Sequence, residues 1–162
     1  MSFYTEVLQN DTLFTSPKRV QNTDLLEPVT RAAVEAIMAD ALKLGIILAP
    51  FETYRSQERQ EQLFTDGRSQ LKTVGVHHYG LACDLVRLNE GAWSWAGDYT
   101  FLGQLATKHD LIWGGSWSHL VDADHVQRIA VIDQGQLFAG TWYPDEHYTP
   151  FPVVDLDGSI SI

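Results

Sequence analysis

The chain has 162 residues, a formal net charge of −10, 44% hydrophobic residues and 20% charged residues. This length fits one domain with its own core, and the composition is that of an ordinary soluble globular protein. The negative charge argues against partners such as nucleic acid, whose phosphates need a basic surface, and against anionic membranes. The single cysteine, Cys83, excludes an intramolecular disulfide framework and a zinc site built on several thiolates. We therefore expect one domain over residues 1–162, in which any metal site uses histidine and carboxylate ligands.

The first two thirds of the sequence predict helices and short strands. Asp24-Leu-Leu-Glu27 resembles a capping box and Pro28 follows it, so the apolar residues at helical spacing beyond it predict a helix over about 25–44. Residues 1–23 are mixed and polar, and they predict an irregular lead. The further predicted elements are a strand over 46–49, a helix over 56–66 capped by Ser56, a loop over 68–76, a strand over 81–88, a helix over 98–108 capped by Asp98, and a strand over 111–113.

The last third of the sequence predicts a hairpin and an irregular end. Residues 126–132 and 136–141 read as two strands joined across Asp133-Gln-Gly135, and residues 142–162 form a proline-rich tail. Helices come first and strands mostly later, and there are too few strand–helix–strand units for a parallel sheet. We therefore expect an α+β fold in which helices pack on a small antiparallel sheet.

Two short segments carry residues that could bind a metal. His77 and Asp84 can meet in space if the chain turns at Gly80, and the later segment Asp122-Ala-Asp-His125 adds an imidazole and further carboxylates. Two histidines, one aspartate and an open fourth position are typical of a catalytic zinc site. Zinc lowers the pKa of a bound water to about 7, and a nearby free carboxylate can then accept its proton. Spacing alone fits equally a core histidine and an unrelated loop aspartate.

Four motifs follow one another between residues 53 and 127. They are Tyr54-Arg55-Ser56 at a helix start, His77-x-x-Gly80-x-Ala82-x-Asp84, Leu111-Ile-Trp113-Gly-Gly115-Ser-Trp117, and Asp122-x-x-His125. In kind and order they resemble the motifs of the zinc D-alanyl-D-alanine and L-alanyl-D-glutamate peptidases, which include VanY-like carboxypeptidases and phage endolysins. The third motif is similar to that of the endolysin-type branch. The resemblance covers about half of the chain.

The resemblance implies a hedgehog/D-Ala-D-Ala-peptidase-like fold and a role for each matched residue. His77, Asp84 and His125 would bind Zn²⁺, and Asp122 would be the general base. Arg55 would hold a substrate carboxylate or the oxyanion of the tetrahedral intermediate, because a guanidinium offers a rigid fork of donors. The substrate would be the stem peptide of peptidoglycan, and the endolysin-like motif favours cleavage of the L-alanyl-D-glutamate bond.

Neighbouring residues compete for two of these roles. His78 adjoins His77, but neighbours point in opposite directions and His77 fits the register of the motif. Residues one and three positions before His125 would both point away from it in a regular strand, so spacing does not decide between Asp124 and Asp122 as the base. The resemblance favours Asp122, which then needs a bend before His125.

Cys83 and several aromatic and histidine side chains have simpler interpretations. Cys83 alternates with Asp84 along a strand, so we expect a buried, inert thiol that faces away from the metal. His109 and His119 are expected to be structural or exposed. Four tryptophans are expected to anchor the core and loops, namely Trp93, Trp95, Trp113 and Trp117. One or two of them could line a groove for substrate.

Two other functions stay open at this point. One is a D,D-carboxypeptidase or dipeptidase that removes D-alanine, and the other is a zinc-containing binding module that has lost catalysis. The N-terminus lacks the basic region, apolar stretch and cleavage site of a standard secretory signal. We therefore expect a monomer made in the cytoplasm that reaches the cell wall by release or delivery, for example through a holin, a phage tail or a secretion system.

Overall fold

The computed structural model describes residues 2–144, 153–154 and 160–161. In this part of the chain the helices are α1 (Phe3–Glu6), α2 (Pro28–Lys43), α3 (Gln57–Thr65), α4 (Thr100–Lys108) and α5 (Gln134–Phe138). The strands are β1 (Leu48–Glu52), β2 (Ala82–Asn89), β3 (Ala92–Ser94), β4 (Ile112–Trp113), β5 (His125–Gln127), β6 (Val153–Val154) and β7 (Ile160–Ser161). The predicted proline-rich tail lies mostly outside the described residues.

A small antiparallel sheet lies at the centre of the fold. Its strand order is β1-β2-β5-β4, and β3 pairs with the C-terminal end of β2. β1 pairs with β2 along one edge, and β5 pairs with the start of β2 along the other. β6 and β7 pair with each other as a separate two-stranded sheet. This sheet, with helices packed against it, confirms the predicted α+β class.

The main core fills the space between one face of the sheet and two helices. Because side chains alternate along a strand, Cys83 and Leu85 of β2 share one face, and they pack there against Ile37 of α2 and Leu102 of α4. All four side chains are completely buried. Burial raises the pKa of the Cys83 thiol. The predicted inert cysteine is therefore confirmed, and Asp84 is left on the opposite face of the sheet.

The predicted start of the long helix was wrong in detail. Helix α2 begins at Pro28, and a 3-10 turn over Thr23–Leu25 precedes it. The residue before a proline is driven out of the helical region, so Glu27 is extended and serves as the N-cap itself. Its carboxylate accepts hydrogen bonds from the backbone N–H groups of Val29 and Thr30 at 3.1 and 3.0 Å. Asp24 is therefore not the cap of this helix.

The predicted hairpin in the last third was also wrong. Residues 125–127 do form a strand, but β5 pairs with β2 and β4 rather than with residues 136–141. Beyond it, a 3-10 turn over Val131–Asp133 leads directly into helix α5. The short apolar run fits a strand or a helix equally well, and pairing in the sheet stabilises only its first two residues, Val126 and Gln127.

Three further differences concern the lead and the region before helix α4. The lead is not wholly irregular, because it contains α1 and buries Phe3 and Leu8 beside Tyr54. Strand β3 was not predicted. Helix α4 begins at Thr100, and Asp98 accepts a hydrogen bond from the Thr100 N–H at 2.8 Å without being the capping residue.

No helix in the described part of the chain combines the length and the apolar character needed to cross a membrane.

Glu27 generates a prediction about stability. It is completely buried, caps α2, and its Oε2 lies 2.5 Å from Nη1 of Arg128, which follows β5. Glu27→Ala removes the cap and leaves Arg128 without its partner, so we expect the free energy of unfolding to fall by about 3–5 kcal/mol in chemical denaturation. Glu35→Ala, at the exposed Arg31–Glu35 pair on the same helix, should change it by less than about 1 kcal/mol. Equal losses in the two variants would contradict this interpretation.

Candidate metal centre and active site

Three buried side chains meet on the face of the sheet opposite the main core. Asp84 of β2 and His125 of β5 are directly opposite each other in the antiparallel register. Their side chains touch, with His125 Nδ1 2.9 Å from Asp84 Oδ1. His77 reaches the same oxygen, with its Nε2 at 3.1 Å. One donor atom from each residue lies within 4.8 Å of the other two, so the structure brings together the three predicted metal-binding residues.

The turn before β2 delivers His77 to this cluster. A 3-10 turn over Val76–Tyr79 ends at Gly80, whose φ of +68° is the left-handed conformation that glycine favours. A Cβ at this position would also lie 2.7 Å from the carbonyl oxygen of Leu25. The predicted turn at Gly80 is therefore confirmed. His77 Nδ1 donates to the carbonyl oxygen of Thr53 at 2.8 Å, which leaves Nε2 to face Asp84.

His78 points away from the cluster. Its Nε2 lies 3.0 Å from the hydroxyl of Tyr4 in the N-terminal lead, and its Nδ1 donates to the carbonyl oxygen of Arg55 at 3.1 Å. Burial lowers the pKa of His78, which favours the neutral ring. His77 and His78 therefore divide as predicted, with one histidine in the cluster and the other holding the lead against the domain.

The three donor atoms form a set that suits a divalent cation. The nitrogens of His77 and His125 and one oxygen of Asp84 converge on one point, and a tetrahedral zinc ion places its ligand atoms about 3.3 Å apart. The observed 2.9 and 3.1 Å contacts are slightly shorter than that spacing, and all three donor atoms lie within 4.8 Å of one another. Burial opposes the charge on Asp84, yet the two histidines hold its pKa well below the usual value. Three protein ligands leave one position open for a substrate or water.

Arg55 lies beside the cluster and is held by a buried carboxylate. Its Nη2 and Nε donate to Oε2 of Glu52 at 2.6 and 3.1 Å, and the same Nη2 lies 3.4 Å from Asp84 Oδ2. Oε1 of Glu52 accepts from Arg59 at 3.1 Å. Asp84 therefore turns one oxygen to the two histidines and the other to Arg55. The sequence analysis missed Glu52, since nothing in its spacing distinguishes it from a surface acid.

Asp122 and Asp124 lie at the bend that leads into β5. The N–H of His125 donates to the carbonyl oxygen of Asp122 at 3.3 Å, so the chain makes the bend that Asp122 needs to face the cluster. Burial raises the pKa of Asp124 to about 8, and a hydrogen bond with Asp122 adds to the effect. The charges of Asp122 and Asp84 both act on His125. Burial alone would lower its pKa, but hydrogen bonding and charge from Asp84 raise it above the usual value.

The indole of Trp113 fixes this bend from the side. Its Nε1 donates to the carbonyl oxygen of Ala123 at 2.7 Å. The ring lies in a slot between two glycines, since a Cβ added at Gly103 or Gly115 would lie only 2.4 or 2.1 Å from it. A Cβ at Gly114 would collide with the carbonyl oxygen of Asp122 at 2.6 Å. The Trp-Gly-Gly sequence therefore lets the chain pack closely around the bend.

The other predicted tryptophans divide into two groups. The ring of Trp117 lies 5.3 Å from that of His125, beside the metal-binding cluster. Trp93 and Trp95 are half exposed and pack edge-on against Phe51. Of these three tryptophans, Trp117 is therefore the one whose ring packs against a residue of the cluster.

Two other histidines lie outside the cluster. His109 contacts Asp40 Oδ2 at 2.9 Å, as expected of a structural residue, and His119 is exposed. The sequence analysis missed a further buried residue, Gln127, which contacts His125. Its spacing of two residues from His125 on one strand was the available signal.

Comparison with known proteins agrees with this geometry. Residues 69–128 match the sequence profile of the D-alanyl-D-alanine carboxypeptidase family, and the match contains all three residues of the cluster. The chain is therefore similar to this family over the segment that contains the cluster. Over 123 residues, the chain is 25% identical to the peptidoglycan L-alanyl-D-glutamate endopeptidase CwlK of Bacillus subtilis (strain 168), covering 64% of this chain and 74% of that protein.

Solved peptidase structures share the fold. The L-Ala D-Glu endopeptidase ChiX of Serratia marcescens superposes with a TM-score of 0.57 at 24% identity, covering 69% of this chain and 90% of that chain. The vancomycin resistance D,D-pentapeptidase VanY, solved in complex with Zn(II), superposes with a TM-score of 0.51 at 12% identity, covering 70% of this chain and 78% of that chain. The expected peptidase fold is therefore confirmed.

The slot around Trp113 generates a prediction about stability and metal binding. In Gly115→Ala the new methyl group would overlap the indole, so the ring and the bend that it holds must shift. We expect the free energy of unfolding to fall by about 1–3 kcal/mol and metal affinity to fall with it. Gly135→Ala is the matched control, because a Cβ there meets nothing within 4 Å. Chemical denaturation and metal titration of both variants provide the test, and unchanged behaviour of Gly115→Ala would contradict the packing argument.

Proposed function

We propose that the protein is a zinc-dependent peptidoglycan peptidase that hydrolyses the L-alanyl-D-glutamate bond of the stem peptide. The observation that carries this proposal is the buried cluster of His77, Asp84 and His125, with an acidic bend on one side and an arginine on the other. The substrate is inferred from CwlK and ChiX, both of which are named as L-alanyl-D-glutamate endopeptidases. The endolysin-like Trp-Gly-Gly motif favours the same branch.

The three residues of the cluster would hold the zinc ion. Each imidazole has its second nitrogen bonded to an acceptor of the protein, Thr53 for His77 and Gln127 for His125. The remaining nitrogens therefore face the same carboxylate oxygen, and in the neutral rings their lone pairs would be available to a metal ion bound there. Zinc, when bound, would polarise the scissile carbonyl and lower the pKa of a water molecule.

Asp122 would be the general base and would later protonate the leaving amine. Two observations support this role: the His125 N–H donates to the carbonyl oxygen of Asp122, and the charge of Asp122 acts on the His125 ring. The charge of Asp124 interacts with that of Asp84 in the cluster, and it also acts on Cys83 and Tyr99, two residues of the main core. Asp124 would then support Asp122 through the hydrogen bond between the two carboxyl groups.

Arg55 would stabilise the negative charge that develops on the substrate. Among the described contacts, four of its N–H groups point to Glu52, Asp84 and Gln60. A guanidinium has five N–H groups, so one on Nη1 remains for a substrate oxygen. The carboxylate of Glu52 fixes the plane of the guanidinium, and a donor that is fixed before the reaction stabilises an oxyanion more than a mobile one.

Digestion of purified peptidoglycan tests the proposal, with products identified by mass spectrometry. New N-terminal D-glutamate that disappears with a chelator and returns with zinc is the expected result. Free D-alanine would instead assign the second function, a D,D-carboxypeptidase, which the description of the matched family favours. Stoichiometric zinc without any product would indicate a binding module.

The same assay separates the roles of the acidic and histidine residues. We expect Asp122→Asn to retain zinc and to lower kcat by about 10²–10⁴-fold, because a general base contributes a factor of that size. Asp124→Asn should lower kcat much less. His77→Ala should lose both zinc and activity, whereas His109→Ala, remote from the cluster, should keep both. Full activity of Asp122→Asn would move the role of base to Asp124.

Arg55 and Arg59 provide a second matched pair. Both donate to the buried carboxylate of Glu52, but only Arg55 reaches Asp84. We expect Arg55→Ala to lower kcat/KM by about 10²–10³-fold, the usual cost of losing one oxyanion donor. Arg59→Ala should have a much smaller effect on kcat/KM despite losing an ion pair to the same carboxylate. Steady-state kinetics on a synthetic stem peptide distinguish the two, and equal effects would mean that Arg55 acts only through the fold.

A further inference from the structure

Gln127 forms a hydrogen-bonded link behind His125. Its side chain is almost completely buried, with 1% of its surface exposed. Nε2 donates to the carbonyl oxygen of Ile129 at 2.5 Å, and Oε1 lies 3.1 Å from His125 Nε2. We propose that Gln127 is a positioning residue that fixes the tautomer of His125, so that Nδ1 is the nitrogen available to a metal. This inference rests on the metal-binding role of the cluster in the proposed function.

The direction of each hydrogen bond follows from the chemistry of the groups. The carbonyl oxygen of Ile129 can only accept, so the amide of Gln127 must turn its NH₂ group to Ile129 and its oxygen to His125. That oxygen also only accepts, so Nε2 of His125 must carry a proton. In a neutral imidazole Nδ1 is then unprotonated, and this is the atom 2.9 Å from Asp84 Oδ1. A backbone carbonyl therefore determines, through one amide, which ring nitrogen faces the cluster.

The sheet fixes Gln127 as firmly as it fixes His125. Both residues belong to β5, two positions apart, so their side chains lie on the same face. Gln127 is opposite Ala82 of β2 and Ile112 of β4, which places its backbone between two neighbouring strands. The amide can therefore rotate little, and the histidine ring meets an acceptor that is already in place.

His77 shows the same principle with the opposite nitrogen. Its Nδ1 donates to a backbone carbonyl, that of Thr53, so its Nε2 faces Asp84. The two histidines thus approach one carboxylate oxygen through different ring atoms. For His77 the backbone supplies the acceptor directly, but for His125 a side chain does so. Gln127 is therefore the one of these two acceptors that a substitution can remove.

The test combines the tautomer of His125 with the affinity for zinc. Long-range ¹H–¹⁵N NMR of the zinc-loaded protein should show a protonated Nε2 and an unprotonated Nδ1 on His125. Gln127→Leu removes the acceptor at similar volume, and we expect its zinc dissociation constant to rise about 10–100-fold in a chelator competition, the usual effect of losing such a partner. Gln127→Glu keeps an oxygen facing Nε2, and as a neutral carboxylic acid it has an O–H that can donate to the Ile129 carbonyl, so it should keep the tautomer and recover most of the affinity.

Thr30→Val is the control for a general loss of stability. It removes another completely buried side-chain hydrogen bond, from Thr30 Oγ1 to Glu27, and should leave zinc affinity unchanged. An Nδ1–H tautomer in the wild type, or wild-type affinity in a folded Gln127→Leu, would overturn the inference. If Gln127→Leu does not fold, the tautomer of His125 in the wild type and the zinc affinity of Gln127→Glu provide the test.

The measurements of zinc binding and of peptidoglycan cleavage can contradict the two proposals separately. A wild-type protein that binds zinc with the expected tautomer but cuts no peptidoglycan would contradict the proposed function alone. A wild type that binds no zinc would overturn both proposals.

Discussion

The pairing of Asp84 with His125 across β2 and β5 is the constraint on which the rest of the structure depends. Side chains alternate along a strand, so a slip of one residue would place Asp84 among the helices and Cys83 at the metal position. The apolar residues prevent that slip, because Cys83 and Val126, the next pair in the register, are completely buried on the helix side. The core that stabilises the fold and the geometry that positions the site are therefore one and the same arrangement.

Burying so many ionisable groups at one place requires compensation. Asp84 and Glu52 are both buried, and unpaired charges at such positions would be strongly destabilising. Arg55 bridges the two carboxylates, and the histidines stabilise the charge of Asp84 from the other side. A cation at the convergence of the three donor atoms would complete this compensation, so metal binding and folding stability should be linked.

The sequence predicted features that depend on local pattern and missed those that depend on tertiary pairing. Helix α3, capped by Ser56, and the turn at Gly80 have strong local signals and were found. Strand β5 has three residues, and only its neighbours in the sheet distinguish it from the hairpin that its apolar run suggested. The cluster residues were identified through motif resemblance, since spacing left them ambiguous. The partners that hold them, such as Glu52 and Gln127, belong to no motif that was recognised.

These partners explain how the orientations of the three cluster side chains are fixed although the side chains do not lie on one long rigid element. Each of its three side chains directs one polar atom inward and has another held by the protein, and the holding groups are the Thr53 carbonyl, the Gln127 amide and the Arg55 guanidinium. Catalytic groups held in this way need little reorganisation when a substrate binds, because their orientations are already determined. The bend at Asp122 is held in a similar way by the indole of Trp113, which fits closely between two glycines. In the proposed function, the chemistry would therefore depend on the residues that hold these three side chains as much as on the three side chains themselves.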